Sequence, residues 1–273
     1  MNGNDIAAKD MRVRIKSAIE ESSKILVGIG DEWRISDEYM SDDPIYGPAY
    51  IKAGKMADQM LMSALIYHKL RKCKDPRIEA LEKLKDILKG KDYFVISSLY
   101  DSSEQVYNLF GEYSVFPFGT MAKMQAKTDS QGEITISEGS KILSEIMKDI
   151  DALLNKELSI AEIQRRIAKS GLVFNQKRAD MRDTAYNENG YLTAWQRYQD
   201  FISSTMGKDL LILELGVSLD NPGVIRFPFE KMAYYNNKAY LVRINERLFQ
   251  VSKEISDKAL SVSDNSYSFI MEL

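Results

Sequence analysis

Four short apolar runs, each closing on glycine or a small polar residue and each separated from the next by helix-spaced sequence, constrain this chain most. The first is Lys24-Ile25-Leu26-Val27-Gly28-Ile29-Gly30; the others occupy 93–98, 210–215 and 239–245. Continuous apolar runs of this length, rich in β-branched residues, read as strands buried on both faces. Segments 6–23, 49–72, 77–89, 192–203 and 229–236 carry helical spacing, with Ile78, Leu81, Leu84, Ile87 and Leu88 marking one face of the third. Strands alternating with helices predict an α/β protein, a parallel sheet with helices on both faces. A further strand is expected over 111–118 and strand-like ends over 259–262 and 267–273. The polar stretch 31–47, with Trp33, Pro44 and Gly47, reads as a loop.

The middle of the chain changes character. Residues 126–138 are polar and carry the turn signal Asp129-Ser130-Gln131-Gly132, and 141–154 and 160–168 follow as charged amphipathic helices. The expected organisation is therefore one α/β core, 1–125 with 185–273, interrupted by a small, mainly helical insertion over 126–184.

Charge and cysteine content narrow the function classes. Lys and Arg number 37 against 40 Asp and Glu, a formal charge of -3. No basic field is available to attract a phosphate backbone, so no nucleic-acid partner is expected. Apolar stretches such as 210–219 fall well short of the ~20 residues that cross a bilayer, so no membrane span is expected. Met1-Asn2-Gly3-Asn4-Asp5 lacks the basic start and apolar run of a secretory signal, which gives a cytoplasmic expectation. Cys73 and His68 are the only residues of their kinds. A structural zinc takes about four such ligands, so the expected fold is zinc-free. Free Cys is usually buried and His68 falls on a helical segment, so both are given structural roles.

Two strand ends could carry chemistry. Gly28-Ile29-Gly30 places small residues where loops at the carboxyl ends of parallel strands form a ligand crevice. The third glycine of the dinucleotide fingerprint is missing, and Asp31-Glu32 set two carboxylates where a phosphate would be repelled; a plain strand-to-loop turn stands beside the nucleotide reading. Gly216-Val217-Ser218 offers N–H groups and a hydroxyl to a ribose or phosphate, and Asn245 offers an amide from another strand end. Turn residues capping loops are the alternative there.

In order along the chain, Gly28-Ile29-Gly30, Ser97-Ser98-Leu99-Tyr100-Asp101, Gly216-Val217-Ser218 and Ile244-Asn245 resemble the sirtuin series G-A-G-x-S, T-Q-N-x-D, G-T-S and I-N. Three stretches are most similar to the microbial class M sirtuins, which are linked with macrodomains and lipoyl-carrier proteins and act as protein ADP-ribosyltransferases. They are Lys91-Asp92-Tyr93-Phe94-Val95-Ile96, Leu213-Glu214-Leu215-Gly216-Val217 with the Asn221-Pro222-Gly223-Val224-Ile225 and Phe227-Pro228-Phe229 runs, and Tyr186-Asn187-Glu188-Asn189-Gly190-Tyr191 before Arg197-Tyr198. The resemblance spans roughly residues 20–262. It implies the Rossmann-like NAD-binding fold that sirtuins share with deoxyhypusine synthase. It further implies NAD as cofactor, with Gly28, Gly30, Ser97, Asp101, Gly216, Ser218 and Asn245 as its contacts. The partner it implies is a protein substrate or a lipoyl-carrier and macrodomain system.

The sequence departs from the family where its chemistry sits. Leu99 stands at the Asn of T-Q-N, and the catalytic His, or Gln in class M, falls at or near Phe110; neither replacement accepts a proton. Where the family has C-P-x-C-G, Ile167-Ala168-Lys169-Ser170-Gly171 stands here. Three readings follow: a sirtuin-like nucleotide binder with lost or much reduced deacylase activity; an active ADP-ribosyltransferase or NAD-cleaving enzyme using Asp101 or Glu112 at the glycosidic carbon; or a non-catalytic interaction scaffold.

Overall fold

The computed structural model describes residues 3–100, 102–126, 136–177 and 186–273, with side chains left aside at 3–9, 122 and 136–140. Helix α1 (Gly3–Glu21) feeds β1 (Lys24–Ile29); then come α2 (Asp37–Ser41), α3 (Gly47–Lys55), α4 (Gln59–Lys72), α5 (Pro76–Ile87) and β2 (Asp92–Ser97). After α6 (Ser103–Phe110) and the short β3 (Ser114–Val115), β4 (Gly119–Ala126), α7 (Ile136–Leu154), α8 (Ile160–Ser170) and β5 (Leu172–Gln176) form a second unit. The chain returns through α9 (Leu192–Ser204), β6 (Leu210–Leu215), α10 (Arg226–Tyr235), β7 (Ala239–Ile244), β8 (Ala259–Val262) and α11 (Ser266–Glu272).

Six strands make one parallel sheet in the order β3-β2-β1-β6-β7-β8. Val27 lies level with Val95 on one side and Leu213 on the other, and Leu213 with Val242, so the apolar centres of the strands share one row. Successive side chains of a strand face opposite ways. Ile25, Val27 and Ile29 pack with Leu81, Leu84, Val106 and Phe269 on one face, whereas Leu26, Phe94 and Ile212 meet Tyr198, Phe201 and Phe229 on the other. A third apolar cluster joins α2–α4 to β4, β5, α7 and α8, through Tyr50, Leu65, Met121, Ile146, Ile150, Ile163 and Phe174. Burying each such side chain contributes about 1.5–3 kcal/mol, and this packing holds the antiparallel β4–β5 pair in place. Among the described residues no group of His, Cys, Asp and Glu gathers that could hold a metal ion. No helix there is long and apolar enough to cross a membrane.

The α/β sheet is as the sequence reading has it, and several local expectations change. The end segment 267–273 is a helix: the Asn265 side chain accepts from the Ser268 N–H at its start, and Phe269, Ile270 and Leu273 share one buried face. Segment 49–72 is two helices, broken where Ala57 takes φ 53 and Asp58 caps the second through the Leu61 N–H. Only two residues of 111–118 pair as strand, between a positive-φ Gly111 and Pro117, which has no N–H to give a ladder. The stretch 31–47 holds a single-turn helix capped by Ser36. Of the expected insertion, 127–135 and 178–184 lie outside the described residues, and its apolar cluster draws as much on α2–α4 as on α7 and α8.

Candidate functional site

The connections reverse direction between β1 and β6, which makes the carboxyl ends of these two strands a topological switch point, the usual place for a ligand crevice in open α/β sheets. Glycines let the two tips touch. A Cβ on Gly30 would stand 2.3 Å from Val217 Cα, and Gly216, at φ +65, would drive a Cβ to 2.5 Å from Glu32 Cβ. Gly28 serves the packing of α10 on the sheet: its missing side chain makes room for Ile225 and Phe229.

A cleft of about 570 Å³ opens at this point. Its floor is Ser98, Val217 and Ser218 at the strand tips; Phe118, Lys177 and Gln59 close it from the second unit, and Asn221, Val224 and Ile225 line the far wall. Asp31 and Arg34 face each other inside it. Ser218 donates its hydroxyl to Asp31 Oδ2 at 2.5 Å, Arg34 lies 3.5 Å from Asp31 Oδ1, and the Arg34 guanidinium donates to the Tyr100 hydroxyl above whose ring it lies. Of the two adjacent acids only Asp31 lines the cleft. Glu32 turns away and accepts from the backbone N–H groups of Glu246 at 2.7 Å and Ser266 at 2.9 Å, clamping the ends of β7 and β8 to β1.

The remaining candidate residues divide between shaping and facing the cleft. Asn245 is buried, donates to Val217 O at 3.1 Å and accepts from Arg247 N and Leu248 N, so it fixes the loop behind the tips and does not line the space. Ser97 is fully buried and accepts from Leu99 N at 3.1 Å, and Leu99 lies in the core. Asp101 lies outside the described residues. Phe110 and Glu112 sit at the other end of the sheet. Phe110 packs edge-on to Tyr93 at 6.0 Å, Tyr113 lies 5.7 Å from the same ring near the amino end of β2, and Glu112 is exposed there. The reason is topological: α6 runs back from the carboxyl end of β2, so its last residue cannot reach the cleft. Phe118, past the end of β3 and, like Phe110, followed by glycine, does line it, as does Tyr100.

Sequence reading also missed a buried ion network beneath the tips. Arg243 grips Glu214 with Nε at 2.7 Å and Nη2 at 2.8 Å and reaches Glu230 at 2.8 Å, while Arg226 approaches Glu214 at 3.3 Å. The signal was there: one acid and one base in otherwise apolar strands, level with each other in the ladder.

His68 lies away from the cleft, in the second unit. Its Nδ1 meets the Tyr46 hydroxyl at 2.8 Å and its Nε2 meets Asp151 at 3.0 Å. Burial lowers its pKa from 6.5 and outweighs the opposing pull of Asp151. Below that ordinary value the unfolded chain binds more protons than the folded one. The stability from neutral His68 is thus full above pH 6.5 and declines as pH falls toward the lowered folded value. The lowered acids Asp43, Asp75 and Asp151 stay out of this window, whereas Glu104 and Glu214, raised by burial, work in the opposite direction, so the imidazole's share is read from the difference between the two proteins. The urea midpoint is expected to drop between about pH 7.5 and about pH 5.5, and His68→Asn to flatten that slope; an equal slope in both proteins would assign it elsewhere.

No family model matches the chain. A Staphylococcus aureus (strain Mu50 / ATCC 700699) protein named protein ADP-ribosyltransferase is 20% identical over 288 residues, 94% of this chain and 84% of the relative. Among solved structures, Sir2 in complex with an inhibitor, 2'-O-acetyl-ADP-ribose and a deacetylated peptide superimposes with a TM-score of 0.52 at 13% identity, over 95% of this chain and 96% of the other. A sirtuin solved to explain sirtuin substrate affinity gives 0.50 at 12% identity, over 95% of both chains. With its parallel sheet, its glycine-closed strand tips and these likenesses in sequence and structure, the chain has the Rossmann-like fold of the sirtuins.

Proposed function

We propose that the cleft at the β1–β6 tips binds NAD or an ADP-ribose-type nucleotide, and that deacylase activity is lost or much reduced. The observation that carries this reading is the cleft itself, at the switch point, with close-approach glycines on both strands. Ser218 then contacts the nucleotide, Gly30 and Gly216 let the strand tips meet beneath it, Ser97 and Asn245 hold the loops that shape the cleft, and Arg34 and Lys177 supply positive charge for a pyrophosphate. In this reading Phe118 and Leu99 stand where the family's reactive groups would be, and a phenyl ring and an isobutyl group neither accept a proton nor hold a ribose hydroxyl. The nucleotide core is drawn as 1–125 with 185–273, no zinc is required, and the protein works in the cytoplasm.

A second reading, ADP-ribosyl transfer to a protein, is favoured by the name of the staphylococcal relative. Asp101 is then the carboxylate for an oxocarbenium-like centre, and Glu112, at the far end of the sheet, drops out. The Sir2 complex with a peptide supports a protein partner, and a lipoyl carrier with its macrodomain is the form that the class M resemblance suggests.

Calorimetry with NAD and ADP-ribose, alongside a nicotinamide-release assay, separates these readings. Saturable binding without release is expected; release would favour transfer, and no binding of either ligand would sink the nucleotide reading. Asp31→Asn is expected to tighten ADP-ribose binding by about five-fold, because one like charge near a pyrophosphate in a solvent-open cleft opposes it by roughly 1 kcal/mol. Weaker binding would instead make Asp31 an acceptor for ribose hydroxyls.

A further inference from the structure

A second cavity, of about 440 Å³, lies along the outer edge of the sheet, where α6 and the start of α9 flank β3 and β4. Tyr107, Phe116 and Tyr191 give it apolar walls, and Lys123 and Arg197 both line it. We propose that this cavity binds a small organic carboxylate, its head group held between Lys123 and Arg197 and its aliphatic or aromatic body against the three rings. The proposal does not depend on the nucleotide reading of the neighbouring cleft.

Three features converge on a monoanion. The Lys123 ammonium donates to Gly190 O and keeps two N–H groups, while Arg197 uses Nε on Glu112 O at 3.0 Å and keeps both terminal nitrogens, with no further partner for either among the described residues. Burial first and the Arg197 charge second lower the Lys123 pKa, as two cations lining one half-buried cavity should; an anion there relieves both effects. Among the described residues the one acid in the lining is Glu104, already engaged by the Tyr67 hydroxyl and 3.5 Å from Arg71. Because Arg71 lies beside that carboxylate, Lys123 and Arg197 both remain for an anion, and the three apolar rings suit a carboxylate on an organic body better than a fully hydrated phosphate. The planar guanidinium adds the paired donors that a carboxylate accepts.

The test is calorimetric titration of the full chain with butyrate, hexanoate and benzoate, with methyl hexanoate and inorganic phosphate as comparators. The acids are expected to bind saturably, with the ester and phosphate much weaker. Lys123→Gln and Arg197→Gln should each weaken hexanoate by about ten-fold or more, the loss of one charge-assisted contact. Arg197 lies on a helix flank, so its variant keeps the test decisive if Lys123→Gln melts early. The proposal is overturned if none of the three acids binds, if phosphate binds more tightly than the acids, or if hexanoate affinity is unchanged in a folded Arg197→Gln protein.

Discussion

Arg243→Met is expected to cost about 3–5 kcal/mol of folding stability, read as a lower urea midpoint with an unchanged slope. Arg243 and Glu214 are both completely buried, on neighbouring strands, and face each other as Glu214↔Arg243 in the ladder. Taking the guanidinium away leaves the carboxylate with only the 3.3 Å contact to Arg226, in a place where burial already pushes its pKa up. It also leaves the carbonyl of Gln250, which Arg243 holds at 2.6 Å, with only the longer 3.2 Å contact from Arg226 Nη2, and so loosens the loop that follows Asn245. Because an isolated buried carboxylate can escape by taking a proton, the deficit should shrink as pH is lowered. The double variant Glu214→Leu, Arg243→Met removes both charges and should lose less than the single one. A single-variant cost below about 1 kcal/mol would mean that apolar packing alone secures these strands.

Much of the fold was legible because strands buried on both faces leave an unmistakable mark: Ile25-Leu26-Val27 and Leu211-Ile212-Leu213 have no polar alternation to mislead. The same logic failed at the chain end. Ser266 to Leu273 is apolar enough for a strand, but its fate was decided by a cap at Asn265 and by the groove beside α5, and tertiary burial is not written in local spacing. The site was legible at the level of strand tips, because glycine before a close approach is a backbone requirement that a sequence displays. Side-chain direction was not. Whether Asn245 faces a ligand or its own loop, and whether Phe110 or Phe118 faces the cleft, depend on where α6 and β3 end, and a short strand flanked by Gly111 and Pro117 hides that point.

Val224→Trp is expected to abolish ADP-ribose binding, by about a hundred-fold or more, without lowering the melting temperature. Val224 lines the cleft from the segment between β6 and α10, half-buried against the core cluster of Leu26 and Phe229, with its own N–H tied to Asn221 O at 3.2 Å, so an indole in its place fills the cleft while that backbone tie and the strand pairing remain. The contrast is Gly216→Val. That change meets Glu32 Cβ at 2.5 Å and Ser266 Oγ at 2.6 Å at a φ of +65, so it should unsettle the sheet tips together with the cleft, and its binding loss could not be separated from misfolding. Ser218→Ala is milder: it removes the hydroxyl now given to Asp31, frees a carboxylate toward the pyrophosphate, and should weaken binding by only about ten-fold. Ordinary ADP-ribose affinity in a folded Val224→Trp protein would place the nucleotide outside the switch-point cleft and with it remove the functional reading of Gly30, Gly216 and Ser218.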